Sequence, residues 1–103
     1  MKIAIDFDGV ICKWNGILRG HNFNNCPPQE NAVEAVTWLI GKGHEVWIFT
    51  ARPETEWENI ASWCNRWGIP VLEITNIKRD ATMTLDDRAV RFTNWQDFCK
   101  LIE

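Results

Sequence analysis

Nowhere in its 103 residues does this chain carry an apolar run approaching the roughly 18 residues that a bilayer-spanning helix needs. It also has no C-x-x-C pair. Cys12, Cys26, Cys64 and Cys99 are widely spaced, which argues against a thiolate zinc site or a disulfide framework. Cys64 and Cys99 fall in helical patterns and read as buried thiols, while a bond between Cys12 and Cys26 stays open. A basic excess is missing too: 11 Lys and Arg face 14 Asp and Glu, for a net charge of −3. A domain that coats nucleic acid usually carries a basic face, so that class is disfavoured. A nucleotide substrate is not, because a divalent cation can supply the positive charge. There is no internal repeat, no low-complexity tract and no tyrosine. Asp6 and Asp8 interrupt the opening apolar stretch too early for a signal peptide, so the expectation is a cytoplasmic protein with no membrane partner.

What is present is ordinary for a globular chain, with 46% hydrophobic and 24% charged residues, enough for one domain spanning 1–103. Short apolar runs at 3–7, 45–50, 71–74 and 82–85 read as strands buried on both faces. Between the first two, Ala32, Val33, Val36, Leu39 and Ile40 recur at helical spacing, and Gly41 and Gly43 end the pattern. Trp57, Ile60, Ala61, Cys64 and Trp67 form a second helical stripe closed by Gly68. Thr93-Asn94-Trp95-Gln96 resembles a capping box that opens a last helix burying Trp95, Phe98, Leu101 and Ile102. Strands alternating with helices predict an α/β fold: a three-layer, Rossmann-like open parallel sheet of about four strands, with helices on both faces.

In such sheets ligands bind beyond the carboxyl ends of the strands. Asp6, Asp8, Thr50, Asp86 and Asp87 all fall at or just past those ends. Clustered acids repel one another unless something compensates, and Mg2+ does so, since it takes oxygen ligands and keeps waters for a phosphate to replace. The bland alternative is that these acids are solvated turn residues. Two acid pairs ending two separate apolar strands, with a threonine ending a third, argue against it. The long aperiodic stretch 10–29 leaves the first strand beside this site and reads as a flap.

The order of these residues resembles the haloacid dehalogenase-like phosphatases. Asp6-Phe7-Asp8-Gly9-Val10 looks like that family's first motif, and Ile48-Phe49-Thr50 like its second. Lys78 stands where the third motif's lysine is expected, and Leu85-Asp86-Asp87 looks like the fourth. The resemblance implies that Asp6 attacks phosphorus and that Asp8 protonates the leaving oxygen and later takes a proton from water. It implies that Thr50, with backbone amides such as those of Gly9 and Ala51, binds phosphoryl oxygens, and that Lys78 offsets charge. Asp6, Asp8 and Asp86 would hold the magnesium, with Asp87 a ligand or a support for one. A second acid in the first motif favours phosphoryl transfer over carbon–halogen chemistry.

Several residues keep two readings. Lys78 or its neighbour Arg79 is a solvated surface charge. Asp87 either supports metal or pairs with Arg88. Arg52 either reaches a substrate phosphate or bridges to Glu54 or Glu56. Trp14 on the flap either stacks on a nucleobase or anchors the flap, and His21 is either a phosphate contact or a plain loop residue. Trp63 falls off its helix's main stripe and reads as exposed or interfacial. Neither gap between motifs has room for a cap domain, which in the family goes with large substrates or with homo-oligomers whose neighbours close the site. The expected function is a magnesium-dependent phosphohydrolase acting on a nucleotide, a polynucleotide end or a small phosphometabolite. A binding module that holds a phosphorylated or nucleotide ligand without turnover is the alternative, and a regulatory subunit docking through tryptophans is a weaker third.

Overall fold

Three apolar residues followed by an acid set the length of the first strand: β1 spans Lys2–Ile5 and stops at Asp6. The computed structural model describes residues 1–13, 23–70, 72–86, 90–91 and 93–102. After β1 come α1 (Ala32–Gly41), β2 (Glu45–Phe49), α2 (Trp57–Trp67), β3 (Glu73–Thr75), β4 (Met83–Asp86), β5 (Val90–Arg91) and α3 (Trp95–Ile102). The strands form one sheet in the order β3-β2-β1-β4-β5, and every neighbouring pair is parallel. This is the expected α/β architecture. The two-residue β5 adds a strand to the expected four; so short a segment carries no alternation that a sequence can show. The third strand begins at Glu73 rather than Val71, which lies outside the described residues.

Register fixes which side chains share a face. Ile3 lies opposite Val46 and Met83, Ile5 opposite Ile48 and Leu85, and Ile48 opposite Ile74. Alternation then turns Ala4, Trp47, Thr84 and Glu73 to the other side. The first set joins one core with Val36 and Leu39 of α1, Ile60 and Trp63 of α2, and Trp95 and Phe98 of α3. Each such aliphatic or aromatic side chain contributes about 1.5–3 kcal/mol on burial. Ala4 and Trp47 are buried as well but stand outside that core.

Chain direction accounts for this division. Steps from β1 to β2 to β3 run one way across the sheet, so right-handed crossovers place α1 and α2 on one face. The chain then returns across the sheet to β4 beside β1, and the same handedness sends that connection over the opposite face. The connection, residues 76–82, is not helical. Arg79 from it pairs with Glu73 and lies over the Trp47 ring at 5.5 Å. Both faces are covered, one by helices and the other by this connection, where the sequence suggested helix as well.

Helix ends follow their local chemistry. Gly68, at φ 80°, ends α2: its N–H bonds to Asn65 O and the Ile69 N–H to Cys64 O, satisfying carbonyls the helix leaves open. The box at α3 sits one residue later than the sequence suggested. Asn94 caps the Asp97 N–H at 2.8 Å, and the Asp97 carboxylate accepts from Asn94 and Thr93. Four burial expectations are corrected. Trp63 is fully buried, because α2 turns a face of Ile60, Trp63 and Cys64 inward, and its ring meets Phe7 edge-on at 5.2 Å. Trp67 at 41% and Leu101 at 62% are exposed, on sides of their helices turned away from the core that Cys64 and Ile102 reach. Ala61 is exposed as well, turned outward between the buried Ile60 and Trp63. The four cysteines form no disulfide with one another, and Cys99 is only half-buried. Among the described residues no helix is long and apolar enough to cross a membrane.

Candidate active site

Strand register brings the first acid pair together. Ile5 lies opposite Leu85 on adjacent parallel strands, and the Asp6 N–H donates to Leu85 O at 3.0 Å. The next residue on each strand is an acid, so Asp6 and Asp86 sit side by side at the carboxyl edge of the sheet, both half-buried. One oxygen of Asp6 accepts the Phe7 N–H at 2.8 Å, which holds the carboxylate over the strand end. Two carboxylates so placed suit a hard divalent cation that takes oxygen ligands. Among the described residues no group of three or more His, Cys, Asp and Glu gathers at one point. Asp87 lies outside the described residues, as do Arg88, Trp14 and His21.

Past Asp6 the chain turns tightly. The N–H groups of Ile11 and Cys12 both donate to Phe7 O at 3.0 Å, and Gly9 supplies the φ of 79° that the turn requires. The Gly9 N–H donates to Cys12 O at 2.8 Å and its carbonyl accepts from Gln29 Nε2 at 3.0 Å. Gln29 thereby ties the end of the 10–29 stretch to its beginning. Residues 14–22, the middle of the expected flap, lie outside the described residues.

The turn presents Asp8 to Arg52, which follows β2. Arg52 Nε donates to Asp8 Oδ2 and Nη2 to Asp8 Oδ1, both at 2.9 Å. Its Nη1 reaches Glu56 at 3.0 Å, four residues on, and its guanidinium lies 4.7 Å from the centre of the Phe23 ring. Trp57 Nε1 donates to the Arg52 carbonyl at 3.0 Å. Burial works against charge on Arg52. Hydrogen bonding and charge from Asp8, then from Glu56, outweigh it and hold the guanidinium pKa above its ordinary value. Arg52 therefore bridges to Glu56, as one of its two readings had it, and also to Asp8, which the sequence did not suggest.

Thr50, the residue just past β2, is fully buried. Its N–H donates to Thr75 O at 3.0 Å and its hydroxyl oxygen accepts the Arg52 N–H at 3.1 Å. The exposed Ala51 lies between the two bonded partners. Lys78 comes from the connection on the opposite face and lines the same pocket as Asp86. Its neighbour Arg79 is the residue taken up in a surface ion pair, with Glu73.

The edge of the sheet thus gathers Asp6, Asp86, Thr50 and the Asp8–Arg52 pair, with Lys78 in the lining of the pocket that Asp86 also borders. Phe23 and Trp57 were missed as supports of Arg52. The i,i+4 spacing of Arg52 and Glu56 signalled one partner, but nothing in the sequence signals that Phe23, 29 positions before Arg52, packs beneath it.

No family model matches the chain. Over 60 residues, 58% of its length, it is 37% identical to a protein of Bacillus cereus named "Putative nucleotidase". A protein of the same name from Oceanobacillus iheyensis is 35% identical over the same length. The chain spans about a third of these curated relatives, 32% of each. The solved structure of a conserved protein from Bacteroides thetaiotaomicron superposes with a TM-score of 0.77 at 23% identity, over 99% of this chain and 88% of that one. The chain shares its fold with that conserved protein, and part of its sequence with proteins named as nucleotidases.

Proposed function

We propose that this chain is a phosphohydrolase of the haloacid dehalogenase-like kind that removes phosphate from a phosphomonoester, a nucleotide first among the substrates. The observation that carries the reading is the in-register pair of Asp6 and Asp86 at the edge of a parallel sheet, beside the buried Thr50. The order of the four motifs supports it, as does the name of the two partial relatives. A magnesium ion fits the donor set of Asp6, Asp86 and the Asp8 carbonyl, and when bound it would screen the charge of the phosphate and of the acids around it.

In this reading a carboxylate oxygen of Asp6 attacks phosphorus, and the bond from phosphorus to the leaving oxygen breaks. Asp8 gives its proton to that oxygen. Water then attacks the aspartyl-phosphate, Asp8 takes the proton back, and the phosphorus–Asp6 bond breaks to release phosphate. Thr50 positions a phosphoryl oxygen, and Lys78 turns toward the transferring group to offset its charge. Arg52 acts by exchange: an arriving phosphate offers its guanidinium a second bidentate partner, which frees Asp8 to move a proton.

The Asp8–Arg52 pair also favours a second reading, a module that captures a phosphorylated ligand through Arg52 and leaves Asp8 tied. Phosphate release from a panel of nucleotides, phosphorylated DNA ends and small phosphomonoesters, with magnesium and with chelator, separates the two. Magnesium-dependent release establishes the hydrolase and ranks its substrates. Silence across the panel, from protein that melts cooperatively, favours the binding module and turns the search to a ligand it holds.

A further inference from the structure

The sheet face turned away from the helices holds a cavity of about 190 Å3. Its sheet side is made by Trp47, Phe49 and Thr84, and its other side by Lys78 and Arg79 of the 76–82 connection, with Asp86 at the strand end. Trp47 is 2% exposed, yet its Nε1–H has no hydrogen-bond partner among the described residues. Buried donors are almost always satisfied, so an orphan one in a cavity wall calls for an acceptor that enters from outside. One water takes about 30 Å3 of liquid, so the space suits a larger group.

The walls say what kind of group. The polar atoms are mainly donors: the indole N–H, the Thr84 hydroxyl, the Lys78 ammonium and the Arg79 guanidinium. Among the described residues Lys78 has no ion-pair partner, and Arg79 is held over the Trp47 ring by Glu73, which fixes its guanidinium at the cavity. Among the described residues Asp86 is the one acid in the lining. The Phe49 ring and the indole supply an apolar surface beside these donors. We propose that this pocket binds a small organic oxyanion, a phosphate or carboxylate head on an apolar body. The head accepts from Trp47 Nε1, Lys78 and Arg79, and the body lies against Phe49. The pocket shares Lys78 and Asp86 with the proposed catalytic site, but it lies on the sheet face and needs neither Asp6 nor turnover.

The indole N–H resonances of the 15N-labelled protein report on the pocket directly, with Trp47→Phe identifying the Trp47 signal. Inorganic phosphate and benzoate are titrated separately, without magnesium, into the wild type, Asp6→Asn and Arg79→Gln. The expected result is a saturable shift of the Trp47 signal in the wild type and in Asp6→Asn, with affinity about tenfold weaker in Arg79→Gln, as loss of one charged hydrogen bond requires. A shift with phosphate alone makes the head a phosphate; a shift with benzoate makes it a carboxylate. No movement of the Trp47 signal by either anion up to about 10 mM, well above a millimolar Kd, overturns the proposal. So does an equal shift in Arg79→Gln. A moving signal in an Asp6→Asn protein that has lost turnover separates this pocket from the catalytic reading, whichever of the two fails.

Discussion

Arg52 grips the Asp8 carboxylate through two nitrogens at 2.9 Å each, and a third nitrogen of the same guanidinium holds Glu56 at 3.0 Å. The arginine is well covered, its side chain 13% exposed against 25% for Asp8. This contact joins the turn after β1 to the start of α2, so it bears on both stability and chemistry. Charged hydrogen bonds of this kind contribute about 1.5–3 kcal/mol, and solvent at Asp8 brings the expectation to the lower end. Arg52→Gln and Asp8→Asn should each lower stability in urea by about 1–2 kcal/mol. Because they remove one shared interaction, the double variant should lose little more than either single one. Additive losses would show that the pair is not coupled.

Asp6 and Asp86 place two carboxylates at neighbouring strand ends, where they repel unless a cation is present. Added magnesium should therefore raise the melting temperature. At roughly ten times Kd the gain is about 1.4 kcal/mol, and chelator should reverse it. In Asp86→Asn the magnesium response should vanish while the metal-free protein melts no lower than the wild type. A magnesium shift that survives this substitution would place the ion elsewhere.

Burial, and the nearby Cys12, push the Cys64 thiol up from an ordinary value of 9.0 to about 12. The folded state thus holds this proton where the unfolded chain has released it. Between pH 9 and about 12 the native state binds more protons than the unfolded one, so stability falls as pH rises through that window. At about pH 10 the loss is on the order of 1 kcal/mol. Denaturation curves of the wild type and Cys64→Ala near neutrality and near pH 10 isolate the effect. The variant should be less stable at neutrality, because it loses buried atoms, but should show the smaller drop with pH.

How far the sequence reaches is clear from particular residues. Asp6, Thr50 and Asp86 were legible because each ends an apolar strand, and a parallel sheet brings strand ends to one edge whatever lies between them. The three helices were legible from their spacing. Trp63 was not: counted from Trp57 along the narrow stripe, it falls to the side, yet its ring fills the space beside Phe7 and Phe23, and its Nε1–H finds Cys26 O at 2.8 Å. That space is made by the segment after residue 22, and no local periodicity encodes it. The Asp8–Arg52 contact spans 44 positions, and either charge had nearer partners in sequence. That the second face is covered by a connection without a helix was likewise hidden. Crossover handedness says where the 76–82 connection runs, while the absence of a helix there follows from its being seven residues long and from Arg79 being drawn to Glu73 and Trp47.

The central claim is that Asp6 is the nucleophile in a phosphate-releasing reaction, and phosphate release by Asp6→Asn tests it most directly. The substrate is the best one found for the wild type, with magnesium present. The substitution keeps the shape of the side chain and an oxygen able to accept the Phe7 N–H, so the variant should fold and melt as the wild type does. It should release no phosphate above background. Release near the wild-type rate from a folded Asp6→Asn protein would contradict the account, because no aspartyl-phosphate could then lie on the path.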